Sequence, residues 1–222
     1  MRLWKPRTPR LRVLRASALL AASVAALVCL PHSAARVGRQ PARYRLDAAR
    51  STFTVRAHSG GLLWFKGHDH LIAARDFEGE ARLAPGSPET AALRLVVRAA
   101  SLAETREVFT EQQKQIINRE LRDLVLEPDK YPEITFRSTS VTGRLTGGVY
   151  RLRIEGDLTL HGVTRRVRIP AEVTVAGREL RARGSFNIDR SDYGVKATSA
   201  FHGMVRVRDR LKVAFDIVGT AL

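Results

Sequence analysis

Apolar and polar residues alternate with a period of two along most of the chain, the pattern of half-buried strands. Phe53, Val55 and Ala57 alternate with Thr52, Thr54 and Arg56, and Phe77, Gly79, Ala81 and Leu83 with Glu78, Glu80 and Arg82. Leu93, Leu95, Val97 and Ala99 continue the pattern, and Ile134 and Phe136 begin another strand. Tyr150, Leu152, Ile154, Gly156, Leu158 and Leu160 oppose Arg151, Arg153, Glu155, Asp157, Thr159 and His161. Val167 to Val175, Leu180 to Ile188, Val205 with Val207, and Leu211 to Ile217 complete the series.

Gly147-Gly148, Gly177-Arg178 and Asp209-Arg210 read as hairpin loops between these runs. One apolar face and one charged face per strand is the signature of an antiparallel sheet wet on one side. About eight to ten such strands with short turns predict an all-β closed barrel or a sandwich. One segment departs from period two. Across residues 104–126, Phe109, Gln113, Ile116, Ile117, Leu121, Leu124 and Val125 fall mostly three and four apart, predicting an amphipathic helix that ends before Pro128. A lone helix inserted between strands is expected to cover an open end or side of the sheet.

The chain has 222 residues, with 38 Lys+Arg against 22 Asp+Glu and a net charge of +16. A basic balance of that size invites a nucleic-acid reading, but the N-terminus argues otherwise. Arg2, Lys5, Arg7, Arg10, Arg12 and Arg15 precede an uncharged run from Ala16 to Leu30, then Pro31 and Ser33-Ala34-Ala35. This is the order of a secretory signal, and the apolar run is shorter than the ~20 residues of a membrane span. Residues 1–35 are expected to be a signal peptide cleaved near Ala35, with retention as an anchor the alternative. Residues 36–43 then read as a short linker and 44–222 as one domain, periplasmic or secreted. The single cysteine, Cys29, lies in the apolar run and leaves with it, so the mature chain has no disulfide. The remaining arginines are scattered singly on polar strand faces, as on a solvated surface, so no nucleic-acid partner is expected. Peripheral contact with an anionic membrane is the sharper alternative.

Four stretches resemble one family. Tyr44-Arg45-Leu46-Asp47 with Ser51-Thr52-Phe53, then Tyr131-Pro132-Glu133-Ile134-Thr135-Phe136-Arg137-Ser138, resemble the start and the YPxIxFxS motif of the YceI-like, polyisoprenoid-binding family. Gly156-Asp157-Leu158-Thr159-Leu160-His161-Gly162-Val163-Thr164 and Arg190-Ser191-Asp192-Tyr193-Gly194 resemble its GxLTxxGVT and RxDFG motifs. They occur in family order over residues 44–219. The resemblance implies a lipocalin-like antiparallel β-barrel that holds a long isoprenoid or similar lipid, is exported, and performs no known turnover. The stretch Gly60-Gly61-Leu62-Leu63-Trp64-Phe65-Lys66-Gly67-His68-Asp69-His70 departs from the commoner family pattern and marks a branch whose ligand can differ.

On that reading the lipid-binding wall is expected from Phe53, Val55, Phe77, Phe136, Leu152, Ile154, Phe186, Ile188, Val213 and Phe215. Small inward residues, Gly79, Ala81, Gly156, Ala171, Ala182 and Gly184, are expected to leave volume for the ligand. His68, His70 and His161 are the candidates for the polar mouth. His68 and His70, two apart, point the same way on a strand. That permits the competing reading of a metal-binding protein or metal-dependent enzyme, with Asp69, His58, His161 or His202 supplying further ligands. Zinc needs three or four ligands and no spacing motif fixes the rest, so no metal and no cofactor beyond the bound lipid is expected. G-x-S-x-G, H-E-x-x-H, P-loop and G-x-G-x-x-G patterns are all absent from the sequence, and no catalytic residue is assigned. Tyr131-Pro132 and Gly162 read as turn residues, and Asp157, Arg190 and Asp192 as rim charges in ion pairs. A homodimer is left open.

Overall fold

The computed structural model describes residues 40–61, 67–197, 199–200 and 205–222. The signal segment, residues 36–39 of the linker, Leu62–Lys66 and His202 lie outside these residues. Strands run β1 Ala42–Gly60, β2 His70–Ala74, β3 Phe77–Ala84, β4 Ser87–Arg98, β5 Leu102–Glu104, β6 Glu133–Thr146, β7 Val149–Leu160, β8 Val163–Ala176, β9 Glu179–Asp189, β10 Ser199–Ala200 and β11 Val205–Ala221. The helix α1, Glu111–Glu120, continues through a wider π-helical turn to Leu126.

All pairings are antiparallel, and β11 pairs with β1, so an eight-stranded sheet closes into a barrel. Closure removes the exposed sheet edge that an open sheet would present. Of the two architectures that period-two alternation allows, the pairing of β1 with β11 selects the barrel. Register places the apolar set of each strand inside. On β7, Tyr150, Leu152, Ile154, Leu158 and Leu160 are buried while Arg151 and Arg153 are exposed.

Two strands of the wall are interrupted at matching heights. β2 and β3 both pair with β1, Thr54 opposite Ala73 and Ala42 opposite Leu83, so they lie end to end with a break at Arg75-Asp76. β4 pairs with β3 and β5 with β2, with a turn at Ala99–Ser101 between them. The breaks are tied together: Asp76 N donates to Ser101 Oγ at 3.1 Å and Arg98 N to the Asp76 carbonyl at 3.0 Å. This offset swings β2 and β5 toward one end of the barrel, where the helix sits.

Three expectations need correction. The helix starts at Glu111 rather than 104. Thr110 caps it in a reciprocal box, accepting from Gln113 N while Gln113 Oε1 accepts from Thr110 N. Upstream, Glu104 belongs to β5 opposite Ile72. Asp209-Arg210 is no hairpin loop but the interior of β11. Ala57 pairs with Leu211 and Ser59 with Val207, so the extra β11 residues form a bulge. The Asp209 carboxylate is engaged by Ser191 N at 3.0 Å and Ser191 Oγ at 2.7 Å, which steadies that bulge. Finally, Ala42 and Arg43, read as linker, already pair with Leu83 and Arg82.

The outer face carries cross-strand ion pairs. Arg181 and Arg183 converge on Asp216 at 2.7 and 2.9 Å, Arg166 meets Asp157 at 2.7 Å, and Arg168 meets Glu155 at 2.7 Å. Arg43 and Arg82 both reach Glu80. Much of the excess basic charge is thus laid out on a solvated surface, where each pair contributes at most ~1 kcal/mol.

Candidate functional site

The inward faces do not fill the barrel. Two apolar cavities lie along its interior, one of about 110 Å³ and one of about 200 Å³. They share Phe53, Val97, Ile134, Leu158 and Phe186 in their walls, so they are adjoining chambers of the barrel interior. Beyond the shared residues, the first chamber is walled by Leu46, Phe136, Leu152, Ile154, Ile169, Phe215 and their neighbours. The second is closed by the helix, through Ile117, Leu121, Val125 and Leu126. An apolar cavity of about 150 Å³ stays dry and accepts a benzene-sized guest. On that scale the two chambers hold on the order of a dozen carbon atoms as they stand.

Nine of the ten residues expected in the lipid wall line one chamber or both: Phe53, Val55, Phe136, Leu152, Ile154, Phe186, Ile188, Val213 and Phe215. Phe77 does not. It is buried at 5% exposure with its ring 6.4 Å from that of Phe53, supporting the wall rather than facing the space.

The small residues divide in a way the alternation could not foretell. Ala81, Ala171 and Ala182 border the first chamber. Gly156 and Gly184 do not create room, because aromatic rings from adjacent strands lie over them. A Cβ on Gly156 would stand 2.5 Å from Phe136 Cζ, and one on Gly184 would stand 2.6 Å from Phe215 Cζ. At Gly79 the close neighbours are the Arg94 carbonyl and Leu46. Here glycine permits close packing, and the free volume lies elsewhere.

Polar groups gather at the helix end. His70, Glu120, Arg190 and Lys196 border the second chamber. The sequence reading placed His68, His70 and His161 at the mouth, and only His70 lies in its wall. His68 is exposed and rests edge-on against Phe109, 5.5 Å between ring centres. His161 sits in the turn after β7 at a φ of 51°, bonded through Nε2 to Glu127 at 3.0 Å and packed on Tyr131 at 4.2 Å. That contact joins the helix's C-terminal end to the β7–β8 turn. Lys130 and His161 both hold the Glu127 carboxyl below its ordinary range.

Further ligands for a metal at His70 do not assemble. His58 Nδ1 is paired with Asp69 at 2.7 Å, and His70 Nδ1 with Glu104 at 2.8 Å. Among the described residues, no three His, Cys, Asp or Glu side chains are grouped as a metal site. Burial pushes the Asp69 carboxyl up, but the Ser59 N–H and His58 outweigh it and leave it lowered.

Two contributors were missed from sequence. The spacing places Glu104 at the start of a helical segment, yet it is the buried acid among the described residues, with none of its side chain exposed. Its Oε1 accepts from Leu71 N, Thr105 N and Arg106 N at 3.1, 3.0 and 2.9 Å, and Oε2 faces His70. No local signal marks it, because its partners come from β2 and the loop after β5. Arg190 was read as a rim charge. Its Nη1 donates to the Val195 carbonyl at 2.8 Å and Nη2 lies 3.8 Å from Asp209. The expected pairing of Asp157 is present with Arg166, whereas Asp192 contributes its backbone carbonyl to Arg165 Nε. Within the same motif Tyr193 is 1% exposed, and burial pushes its phenol up to about 12.

Antiparallel closure, apolar chambers, a helical cover and a small polar cluster at one end together define a hollow β-barrel covered at that end. The sequence profile of the YceI-like domain matches residues 44–219, and the chain belongs to that family. A UPF0312 protein of Pseudomonas fluorescens is 34% identical over 131 residues, which span 54% of this chain and 61% of that protein. A UPF0312 protein of Vibrio cholerae is 27% identical over 190 residues, 82% of this chain and 90% of that protein. Among solved structures, Burkholderia cenocepacia BcnA superposes with a TM-score of 0.62 at 20% identity, over 79% of this chain and 99% of that one. A polyisoprenoid binding domain from Saccharophagus degradans implicated in plant cell wall breakdown superposes at 0.57 and 14% identity, over 81% and 98%. At these identities the structural likeness is one of fold.

Proposed function

We propose that this protein is an exported, non-catalytic carrier that holds an isoprenoid or similar single-chain lipid along the barrel axis. The observation that carries this reading is the pair of adjoining apolar chambers inside the barrel, bordered by Phe53, Phe136, Ile154, Phe186 and Phe215 and capped by Ile117, Leu121 and Val125. A packed structural barrel would have filled that space with side chains. The polyisoprenoid-binding neighbour on the same fold supports the ligand class. Transfer of an apolar chain into the tube is favourable by about 25 cal/mol per Å² buried, offset in part by ordering the chain. The described space suits a chain of about a dozen carbons. A longer isoprenoid would extend past the helix or displace it.

Export, with cleavage near Ala35, rests on the Arg-rich start and the Ala16–Leu30 run. Exposed Ile116 and Leu124 on the helix, beside Arg119 and Arg122, support delivery to or from an anionic membrane. The test is extraction of protein purified from its native compartment into organic solvent, followed by mass spectrometry. A stoichiometric single-chain lipid is expected. Protein that carries no lipid and displaces no apolar fluorescent probe would end the carrier reading.

A further inference from the structure

The tube says that the ligand is apolar, and the His70–Glu104 pair says something about its head. Glu104 is fully buried, and its Oε1 is taken by three backbone N–H groups from two segments of chain. Glu104 N donates in turn to Asn118 Oδ1 on the helix at 2.8 Å, so the residue is fixed from both sides. Its remaining oxygen, Oε2, faces His70 Nδ1 at 2.8 Å. A carboxylate offers only acceptors, so Nδ1 is the donor and carries the ring proton. In the neutral ring this leaves Nε2 with a lone pair. Stacking on Phe109, with 12° between the rings, restrains the imidazole plane. His70 stands in the wall of the second chamber, and its Nε2 makes no hydrogen bond among the described residues.

Building on the carrier reading, we infer that His70 Nε2 is a hydrogen-bond acceptor for the lipid head, so that the site selects a head that donates, a hydroxyl or an amide N–H, over one that only accepts. Buried donors and acceptors discriminate because an unmatched polar atom loses its water without replacement. Glu104 is a positioning residue in this scheme. It sets which ring nitrogen carries the proton and does not itself touch the ligand.

The geometry makes the assignment reversible by one substitution. In Glu104→Gln, the three backbone donors at the Oε1 position require the amide oxygen there. The amide nitrogen must then take the Oε2 position and donate to His70 Nδ1. The ring proton moves to Nε2, which becomes a donor. Because a hydroxyl accepts as well as donates, the preference for a donating head should be lost and acceptor-only heads should gain, while the chamber keeps its shape.

Arg190 and Lys196 border the same chamber and offer a competing receptor, for an anionic head. Three probes of one chain separate the cases: farnesol, its methyl ether and farnesoic acid, each titrated against a bound apolar fluorophore. The wild type should bind the alcohol about three- to tenfold more tightly than the ether, the range of one net hydrogen bond. Glu104→Gln should bind the ether about three- to tenfold more tightly than the wild type does and lose the preference for the alcohol, whereas His70→Phe, which keeps the ring packing, should bind both alike without that gain. Circular dichroism of each variant checks folding. Should Glu104→Gln fail to fold, loss of preference in His70→Phe decides the matter. Equal binding of alcohol and ether by the wild type overturns the inference and leaves the carrier reading intact. So does tightest binding of the acid with no response to either substitution. A wild type that binds none of the three removes the carrier reading, and the inference with it.

Discussion

The ring of Phe136 on β6 lies across Gly156 on β7, so close that a Cβ on the glycine would stand 2.5 Å from Phe136 Cζ and 2.5 Å from the Arg137 carbonyl oxygen. The pair explains how a glycine in mid-strand is compatible with a closed wall. Phe136 is buried at 4% exposure and faces the first chamber, so the glycine sets the position of a ring that shapes the tube. Gly156→Ala meets backbone as well as ring and should destabilise by about 1–3 kcal/mol, the range for overpacking. Thermal unfolding followed by circular dichroism reads the shift, and an unchanged midpoint would show that the wall yields easily at this point.

Charge inside the tube should be decisive and charge outside should not. Ile154 lines the first chamber at 8% exposure, and its neighbour Arg153 is exposed on the opposite face. Ile154→Glu places a carboxylate among apolar side chains and should abolish probe binding, with several kcal/mol of lost stability if it stays ionised. Ala182→Phe, which only fills space, separates blockage from unfolding. Arg153→Glu should leave affinity within about twofold, since exposed substitutions away from special features change little. Comparable losses at positions 153 and 154 would place the ligand elsewhere.

The helical cover depends on its cap. Thr110 and Gln113 satisfy each other's backbone N–H groups, and few tertiary polar contacts besides Asn118 Oδ1 to Glu104 N hold the first turns. Thr110→Ala should cost about 1 kcal/mol. Hydrogen exchange of Lys114 N, which donates to the Thr110 carbonyl at 2.9 Å, should speed up by roughly fivefold if opening is local. Release of a bound probe should accelerate in step if the helix is the gate. Faster exchange without faster release would move the gate to another part of the rim.

Acid should loosen the barrel from its outer face. Arg43 and Arg82 hold the Glu80 carboxyl down to about 2, and Arg181 and Arg183 do the same for Asp216. Their ordinary values are 4.5 and 3.8. Because the folded values lie below the unfolded ones, the stabilisation is complete above about pH 4.5 and is lost as pH falls toward 2. Denaturant midpoints measured from pH 7 to pH 2 should fall across that window. The double variant Glu80→Gln, Asp216→Asn should show a shallower fall, and parallel curves would exclude these two pairs as the cause. Screening keeps the effect small, and salt should reduce it further.

Much of this protein was legible one strand at a time. Alternation at Tyr150–Leu160 or Leu180–Ile188 states which side chains share a face, because a strand reverses its side chains at every residue. Nine of the ten residues selected on that basis face the tube. What alternation cannot state is how much space the faces enclose. Gly156 and Ala171 look alike as small inward residues, yet one lies beneath Phe136 and the other borders the chamber. That difference depends on the ring of a neighbouring strand, and so on register.

The helix shows the same division. Spacing identifies Ile116, Ile117, Leu121 and Val125, but with Phe109 in the same period it extends the helical segment back to residue 104, whereas the helix begins at Glu111. Glu104 pairs with β2 and Phe109 packs on His68 and His70, contacts that a local pattern does not contain. Strand faces, most turns and the inward-facing apolar positions follow from backbone geometry over a few residues and are readable locally. Barrel closure, the two chambers and the Glu104–His70 pair emerge only when the whole barrel is packed. Each of these joins residues far apart in the chain, and the packing of the whole barrel selects them.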